Sequence, residues 1–152
     1  MGFLVFIASF FLMEFVAWFA HKYIMHGFMW YFHEDHHVKD DHNSFFERND
    51  VFFLIFATPG IAFIVLGTTF GIPYLFPLGL GIAAYGFTYF MVHDIFIHQR
   101  FKIFRKSDNI YFRAIRRAHK MHHKHITKEH GECFGMLVVP FKYFRKEKKL
   151  AS

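Results

Sequence analysis

The chain has almost no cysteine and, over long stretches, no basic residues. Cys133 is the only cysteine among 152 residues, which excludes an intramolecular disulfide and a thiolate cage for a metal ion. Residues 1–20 and 51–92 contain no Lys or Arg, although the whole chain carries 18 of them. No segment shows the alternation of apolar and polar residues that is typical of a half-buried β-strand. These absences favour an all-helical protein without disulfides.

Apolar and aromatic residues are abundant instead. The chain is 54% hydrophobic and 22% aromatic, with 25 Phe and a mean hydropathy of +0.20. A soluble core does not need this much apolar surface, so the composition indicates a membrane protein. The length is typical of one domain, and we expect residues 1–152 to form a single integral-membrane domain.

Three apolar stretches, residues 2–20, 51–70 and 74–92, are each close to the length of about 20 residues that a spanning helix needs. The GIP at 71–73 predicts a tight turn, which makes the last two stretches a helical hairpin. The alternative for the first stretch is a cleaved signal peptide, but it lacks a basic start and carries Glu14. We therefore expect an all-α polytopic membrane bundle of three to four transmembrane helices. The 13 histidines of the chain, most of them grouped just beyond these stretches, add the expectation of a cytoplasmic histidine-rich di-metal cap.

The positions of the basic residues predict the orientation. All Lys and Arg lie in residues 21–50 or 93–152, and three spans place both segments on one side, which the positive-inside rule makes cytoplasmic. The net charge of +6 then reflects topology and not nucleic-acid binding. Basic residues between 100 and 125, Arg105 among them, are expected to face anionic membrane lipids.

Two later stretches lie outside the three predicted spans. The metal site is expected within residues 21–50 and 93–141. Residues 133–141 are too short to span, so they are expected to dip into the interface or to cap this site. The final residues, 143–152, are predicted to be frayed.

Histidine is the unusual component, with 13 in the chain. Ten of them follow the order H-x4-H, H-x2-H-H twice over, at or just beyond the predicted cytoplasmic ends of the spans. These ten are His21, His26, His33, His36, His37, His93, His98, His119, His122 and His123. The other three, His42, His125 and His130, are read as ordinary interfacial side chains.

The spacings can be read physically. Positions i, i+3 and i+4 of a helix lie within about 100° of each other, so each H-x2-H-H presents three imidazoles on one face. Residues i and i+5 are separated by about 140° on an ideal helix, so each H-x4-H pair either reaches two metals or lies where the helix loosens. Ten imidazoles exceed the usual limit of about six ligands for one ion. Two metals with about five histidines each fit the count.

Ligand type alone leaves the metal open, because imidazole suits zinc, copper, iron and nickel. A structural zinc site is usually four-coordinate and rich in thiolate, so a redox pair with open positions suits the set better. The coordinating nitrogens must be unprotonated, which Lys22, Lys120 and Lys124 would favour, and metal should be lost on acidification.

Carboxylates that accept the other N–H of a ligating histidine are also expected. Asp94 follows His93 directly, and Glu14 lies seven residues before His21 on nearly the same helix face. Glu14 has the alternative of pairing with a polar group between helices. Asp50 is the third candidate, with helix capping as its alternative.

The chain resembles the membrane-bound, histidine-rich di-iron hydroxylases and desaturases, and more closely the bacterial carotenoid β-ring hydroxylases. The resemblance lies in AHKYIMHG (20–27), FERND (46–50), AYGFTYFMVHDIFIHQR (84–100), AHKMHH (118–123) and CFG (133–135). HEDHH, with its two acids, departs from the family pattern.

The resemblance implies hydroxylation of β-ring carotenoids at carbon 3, with the ten motif histidines as catalytic ligands of two Fe²⁺ ions. It also implies O2 as co-substrate, a ferredoxin-type electron donor and a location in the bacterial inner membrane. A carotenoid substrate would enter from lipid, through a groove lined by Gly79, Gly81, Ala83, Ala84 and Gly86, unless these small residues only pack helices together.

Other functions remain open at this point. A carotenoid ketolase or a fatty-acyl or sterol hydroxylase would share the chemistry. A histidine-rich metal transporter is disfavoured, because the spans contain no histidine and only Glu14 as an ionisable group. A non-enzymatic membrane anchor that binds structural zinc is the last alternative.

Overall fold

The computed structural model describes residues 1–38, 45–103 and 106–151; His42 and Arg105 lie outside these ranges. The described residues contain helices and no strand. Six α-helices follow one another: α1 (Gly2–Phe19), α2 (Trp30–His37), α3 (Val51–Thr69), α4 (Leu75–Tyr89), α5 (Ile110–His122) and α6 (Phe141–Ala151). Two π-helical segments, Ala20–Phe28 and Phe90–Ile97, continue α1 and α4, and a 3₁₀ turn, Arg48–Asp50, precedes α3.

Three helical stretches are long and apolar enough to cross a membrane: Gly2–Phe28, Arg48–Thr69 and Leu75–Ile97. They confirm the all-helical fold and the three predicted spans. Two of them continue beyond the predicted ends, because the helical backbone runs on through the H-x4-H segments. Within the described part of the chain there is no fourth stretch of this kind.

Glycines let the spanning helices approach each other closely. α4 packs against both α1 and α3. A Cβ on Gly79 would lie 2.6 Å from the carbonyl oxygen of Gly60 in α3, and a Cβ on Gly81 would collide with Ser9 of α1. These two glycines therefore serve helix packing, the alternative to the predicted substrate groove, because only a residue without a side chain fits there.

The last two helices pack against each other and against the end of the third apolar helix. Apolar residues of α5 (Ala114, Ile115, Ala118) pack against Met136, Val139 and Tyr143. Glu147 of α6 is 3% exposed and accepts hydrogen bonds from Arg113 and Arg117 of α5. Burial raises the pKa of Glu147, but the two guanidinium groups outweigh it and hold the pKa below its ordinary value. The prediction of a frayed end was wrong, because this buried ion pair attaches α6 to α5.

The two glycine environments of α4 give a matched test. Gly81→Ala should destabilise the protein by about 1–3 kcal/mol, because the new methyl group collides with α1. Gly86→Ala is the control, because a Cβ there meets nothing within 4 Å. Thermal unfolding in detergent measures both. Equal midpoints for the two variants would contradict the assignment of Gly81 to the α1–α4 contact.

Candidate metal centre

The π-helical segments decide where the H-x4-H pairs point. In such a segment the N–H of residue i+5 bonds to the carbonyl of residue i, as the N–H of His98 does to His93 at 2.9 Å. Residues five apart are thereby brought to the same side of the helix. The ring centroids of His21 and His26 are 5.3 Å apart, and those of His93 and His98 are 4.5 Å apart. Each pair thus joins one group, so the helix loosens instead of sending the pair to two metals.

Nine of the ten motif histidines form two groups whose ligating nitrogens lie within 4.8 Å of one another. Group A consists of His21, His26, His33, His37 and His122, and group B of His36, His93, His98 and His119. The tenth, His123, has its Nε2 2.8 Å from Nε2 of His119, so we count it with group B. The division is five and five.

The two H-x2-H-H segments are shared between the groups. Consecutive residues of a helix point about 100° apart, so His36 and His37 turn to different groups, as do His122 and His123. The rings of His37 and His123 nevertheless stack with centroids 4.5 Å apart. The groups therefore adjoin and form one centre. Eight of the ten histidines are buried, and His98 and His123 are half-buried.

In group A, the Nδ1 atom of each imidazole, its outer nitrogen, points away from the other rings and faces an uncharged hydrogen-bond acceptor. Since a carbonyl oxygen can only accept, each Nδ1 facing one carries the proton. The acceptors are the carbonyls of Phe134 for His21 (3.0 Å), Lys128 for His26 (3.2 Å), His125 for His37 (2.9 Å) and Glu132 for His122 (2.9 Å), and Asn49 Oδ1 for His33 (2.7 Å). Four of the five acceptors come from the segment 125–134, which therefore orients most of group A.

In group B, the acceptors shown are carboxylates. His36 Nδ1 donates to Glu47 at 2.7 Å, and His93 Nδ1 donates to Asp94 at 3.2 Å. Arg100 lies 3.4 Å from Glu47 and 3.3 Å from Asp94, so it ties the two carboxylates together. Burial raises the pKa of Glu47, and the charge of Arg100 opposes that rise.

The distances between the Nε2 atoms, the inner nitrogens of each group, show whether a metal ion fits. Nε2 of His33 lies 3.0 Å from Nε2 of His21 and 3.1 Å from that of His37, and the His36–His93 pair is also 3.1 Å apart. Because the proton of each of these rings is on Nδ1, lone pairs face each other with no hydrogen between them. Two ligands at right angles, each about 2.1 Å from one ion, would be about 3 Å apart. The residues present therefore fit transition-metal ions.

Burial favours the neutral form that metal binding requires in several of these imidazoles. Burial lowers the pKa of His33 to about 2 and that of His37 to about 4. Burial, followed by the charges of neighbouring histidines, lowers the pKa of His36 and His119 well below the ordinary value. The main cause is thus burial and not the lysines that the sequence suggested; Lys22, Lys120 and Lys124 are all exposed.

Glu14 has a different set of partners from the one that its position suggested. Its Oε1 accepts hydrogen bonds from the backbone N–H groups of Met136, Leu137 and Val138 at 2.9–3.0 Å, and its Oε2 accepts one from Tyr85 at 2.8 Å. Glu14 lies about 10 Å along the helix axis from His21. Non-helical backbone at such depth is tolerated where protein groups satisfy it. Glu14 therefore anchors the segment that carries Phe134, and so supports His21 indirectly.

The other two candidate carboxylates, Asp94 and Asp50, have different hydrogen-bond partners. Asp94 contacts His93, as its position suggested. Asp50 accepts from the backbone N–H of Glu47 at 3.1 Å and from Arg100 at 2.7 Å, so it caps the 3₁₀ turn and orients Arg100. Sequence reasoning missed Glu47, Asn49 and Arg100 as partners. The signal was present in FERND (46–50) and HQR (98–100), which belong to the stretches that resemble the family and contain these three polar residues close to motif histidines.

The fold and the centre define a helical protein with three apolar helices long enough to cross a membrane and two adjoining histidine groups that could hold metal ions. The sequence profile described as "Fatty acid hydroxylase" matches residues 6–141. The chain therefore belongs to the fatty acid hydroxylase family.

Named relatives resemble the chain over most of its length. A β-carotene hydroxylase from Pantoea ananas is 42% identical over 128 residues, covering 84% of this chain and 71% of that protein. One from Pseudescherichia vulneris is 39% identical over 134 residues, covering 88% and 74%. A chloroplastic β-carotene 3-hydroxylase from Gentiana lutea is 39% identical over 131 residues, covering 84% of this chain and 40% of that longer protein. No solved structure matches the chain.

The lowered pKa values predict that the metal-free protein is sensitive to acid. An unfolded histidine has a pKa of about 6.5, so the unfolded chain takes up protons before the folded one as the pH falls. Stability is therefore complete above pH 6.5 and is lost below it, down to about 4 for His37. Thermal unfolding of chelated protein between pH 8 and 5 measures this loss. His130→Asn, at an exposed position, should keep the same slope, and a flat profile would contradict the assignment.

The hydrogen bonds of Glu14 predict a graded pair of effects. Glu14→Ala leaves three backbone N–H groups without an acceptor and should cost about 3 kcal/mol or more. Tyr85→Phe removes only one of the four bonds and should cost about 1 kcal/mol. Unfolding in detergent and limited proteolysis near residues 133–140 measure both. Proteolysis of the Glu14 variant no faster than that of the Tyr85 variant would show that the segment is held otherwise.

Proposed function

We propose that the chain is an O2-dependent di-iron hydroxylase that adds a hydroxyl group to carbon 3 of the β-rings of carotenoids. Two rounds on β-carotene would give β-cryptoxanthin and then zeaxanthin. The observation that carries the proposal is the pair of adjoining all-imidazole groups at one end of three apolar helices. The choice of substrate is supported by the relatives, which bear β-carotene hydroxylase names in bacteria and in plants.

The ten motif histidines would hold the two irons, five to each ion. When bound, the irons would supply the reduction of O2 by two external electrons and two protons, with one oxygen atom transferred to the ring carbon and the other leaving as water. The protein's part is to present unprotonated Nε2 atoms and to fix each ring through its outer nitrogen. The Phe134 ring packs with its centroid 5.1–5.4 Å from those of His21, His26 and His122, and this contact would shield group A from water.

Substrate and electrons would reach the centre from different directions. A carotenoid is nearly insoluble in water, so it would enter from the lipid around the apolar helices. The basic segments at the histidine end would face the cytoplasm by the positive-inside rule, in the bacterial inner membrane. The same charge would attract anionic lipids and an acidic ferredoxin-type donor.

The alternatives differ in measurable ways. A fatty-acyl hydroxylase is favoured by the description of the family profile, and a ketolase shares the chemistry. A zinc anchor would hold zinc and consume no O2. A transporter needs a polar path across the membrane, whereas the ten histidines gather at one end of the three apolar helices.

Expression in a host that accumulates β-carotene tests the proposal. Zeaxanthin and β-cryptoxanthin should appear, dependent on O2, with two irons per purified chain. His33→Ala and His119→Ala should lower product at least 100-fold, because each removes a proposed ligand, while His130→Asn should keep normal levels. Keto-carotenoids, unchanged pigment in an expressing host, or zinc in place of iron would overturn the proposal.

A further inference from the structure

The two histidine groups differ in the charge of the acceptors to which their Nδ1–H groups donate hydrogen bonds. The group A acceptors are four backbone carbonyls and the amide of Asn49, all neutral. In group B, two of the five histidines donate to carboxylates, His36 to Glu47 and His93 to Asp94. Each group contains five imidazoles, so the carboxylates of Glu47 and Asp94 give group B a negative charge that the acceptors of group A do not have.

The charge beside group B is not fully balanced. Arg100 contacts Asp50 at 2.7 Å, Asp94 at 3.3 Å and Glu47 at 3.4 Å. Three carboxylates against one guanidinium leave a formal excess of two negative charges. The side chains of Arg100, Asp94 and Glu47 are only 15–21% exposed, so solvent screens these charges weakly.

We propose that Glu47 and Asp94 make group B the tighter of the two metal sites, so that the two ions are held unequally. A carboxylate that accepts the Nδ1–H of an imidazole raises the basicity of Nε2, the ligating atom. The negative potential also favours the bound cation directly. The inference rests on the metal-centre part of the proposed function and not on its substrate. Glu47 and Asp94 are positioning residues, because they act through His36 and His93.

Cobalt(II) binding to the purified metal-free protein in detergent tests the proposal without any variant. As cobalt is added, two absorption spectra should appear in succession, because the tighter site fills first. After addition of excess chelator, cobalt should leave in a fast phase from group A and a slow phase from group B. A single spectrum and a single phase would overturn the proposal.

Three variants then assign the phases. Glu47→Gln and Asp94→Asn keep a hydrogen-bond acceptor but remove the charge, and each should accelerate the slow phase about 10–100-fold. Asn49→Asp gives His33 a carboxylate and should slow the fast phase by a similar factor. Glu34→Gln is the matched control, because it removes an acid that is exposed on the same helix as His36, and both phases should stay unchanged.

The results separate this proposal from the assignment of function. Acceleration of only the fast phase by Glu47→Gln, or no slowing of either phase by Asn49→Asp, would overturn the inequality of the sites. Two phases that respond as expected would support it even if the host made no hydroxylated carotenoid. A lack of hydroxylated carotenoid together with two such phases would reject only the proposed function.

Discussion

The structure depends on a constraint at the imidazole nitrogens: rings whose protons point outward present bare lone pairs to one another at about 3 Å. Nε2 of His33 faces those of His21 and His37 in this way, while its Nδ1 is held by Asn49. Without a cation such an arrangement is repulsive, and with one it is a coordination shell. The outer acceptors, the burial that keeps the rings neutral and the helices that carry them all serve this condition.

The membrane sets a second condition, because backbone that leaves a helix at membrane depth must find partners within the protein. Glu14 meets that condition for residues 136–138, and the segment that it anchors supplies the carbonyl of Phe134 to His21. A charge within a span is costly, and here it supports the metal centre from about 10 Å away. The glycines of α4 meet a related need, since they allow close helix contacts where no hydrophobic effect drives association.

Much of this was predictable, for physical reasons. Three apolar runs of near-spanning length predict three spans, because the bilayer fixes the length that a helix needs. Ten histidines in a doubled order predict two sets of metal ligands from their count alone, and the structure gathers the rings into two adjoining groups. The outer partners were harder to predict, because most are backbone carbonyls of residues 125–134, and a carbonyl has no signature in the sequence. Asp94 was within reach only because it is adjacent to His93. The attachment of α6 was missed because Glu147 and its two arginines are about thirty residues apart.

By itself, the sequence determined the helical membrane architecture and the set of ten imidazoles, since hydrophobic length and residue type act locally. The tertiary structure decided which histidine joins which group. An ideal helix would turn His21 away from His26, and the π-helical segment turns both to one side. The structure also decided that consecutive histidines divide between the groups and that carboxylates stand behind only one of them, because these features depend on how separate helices meet.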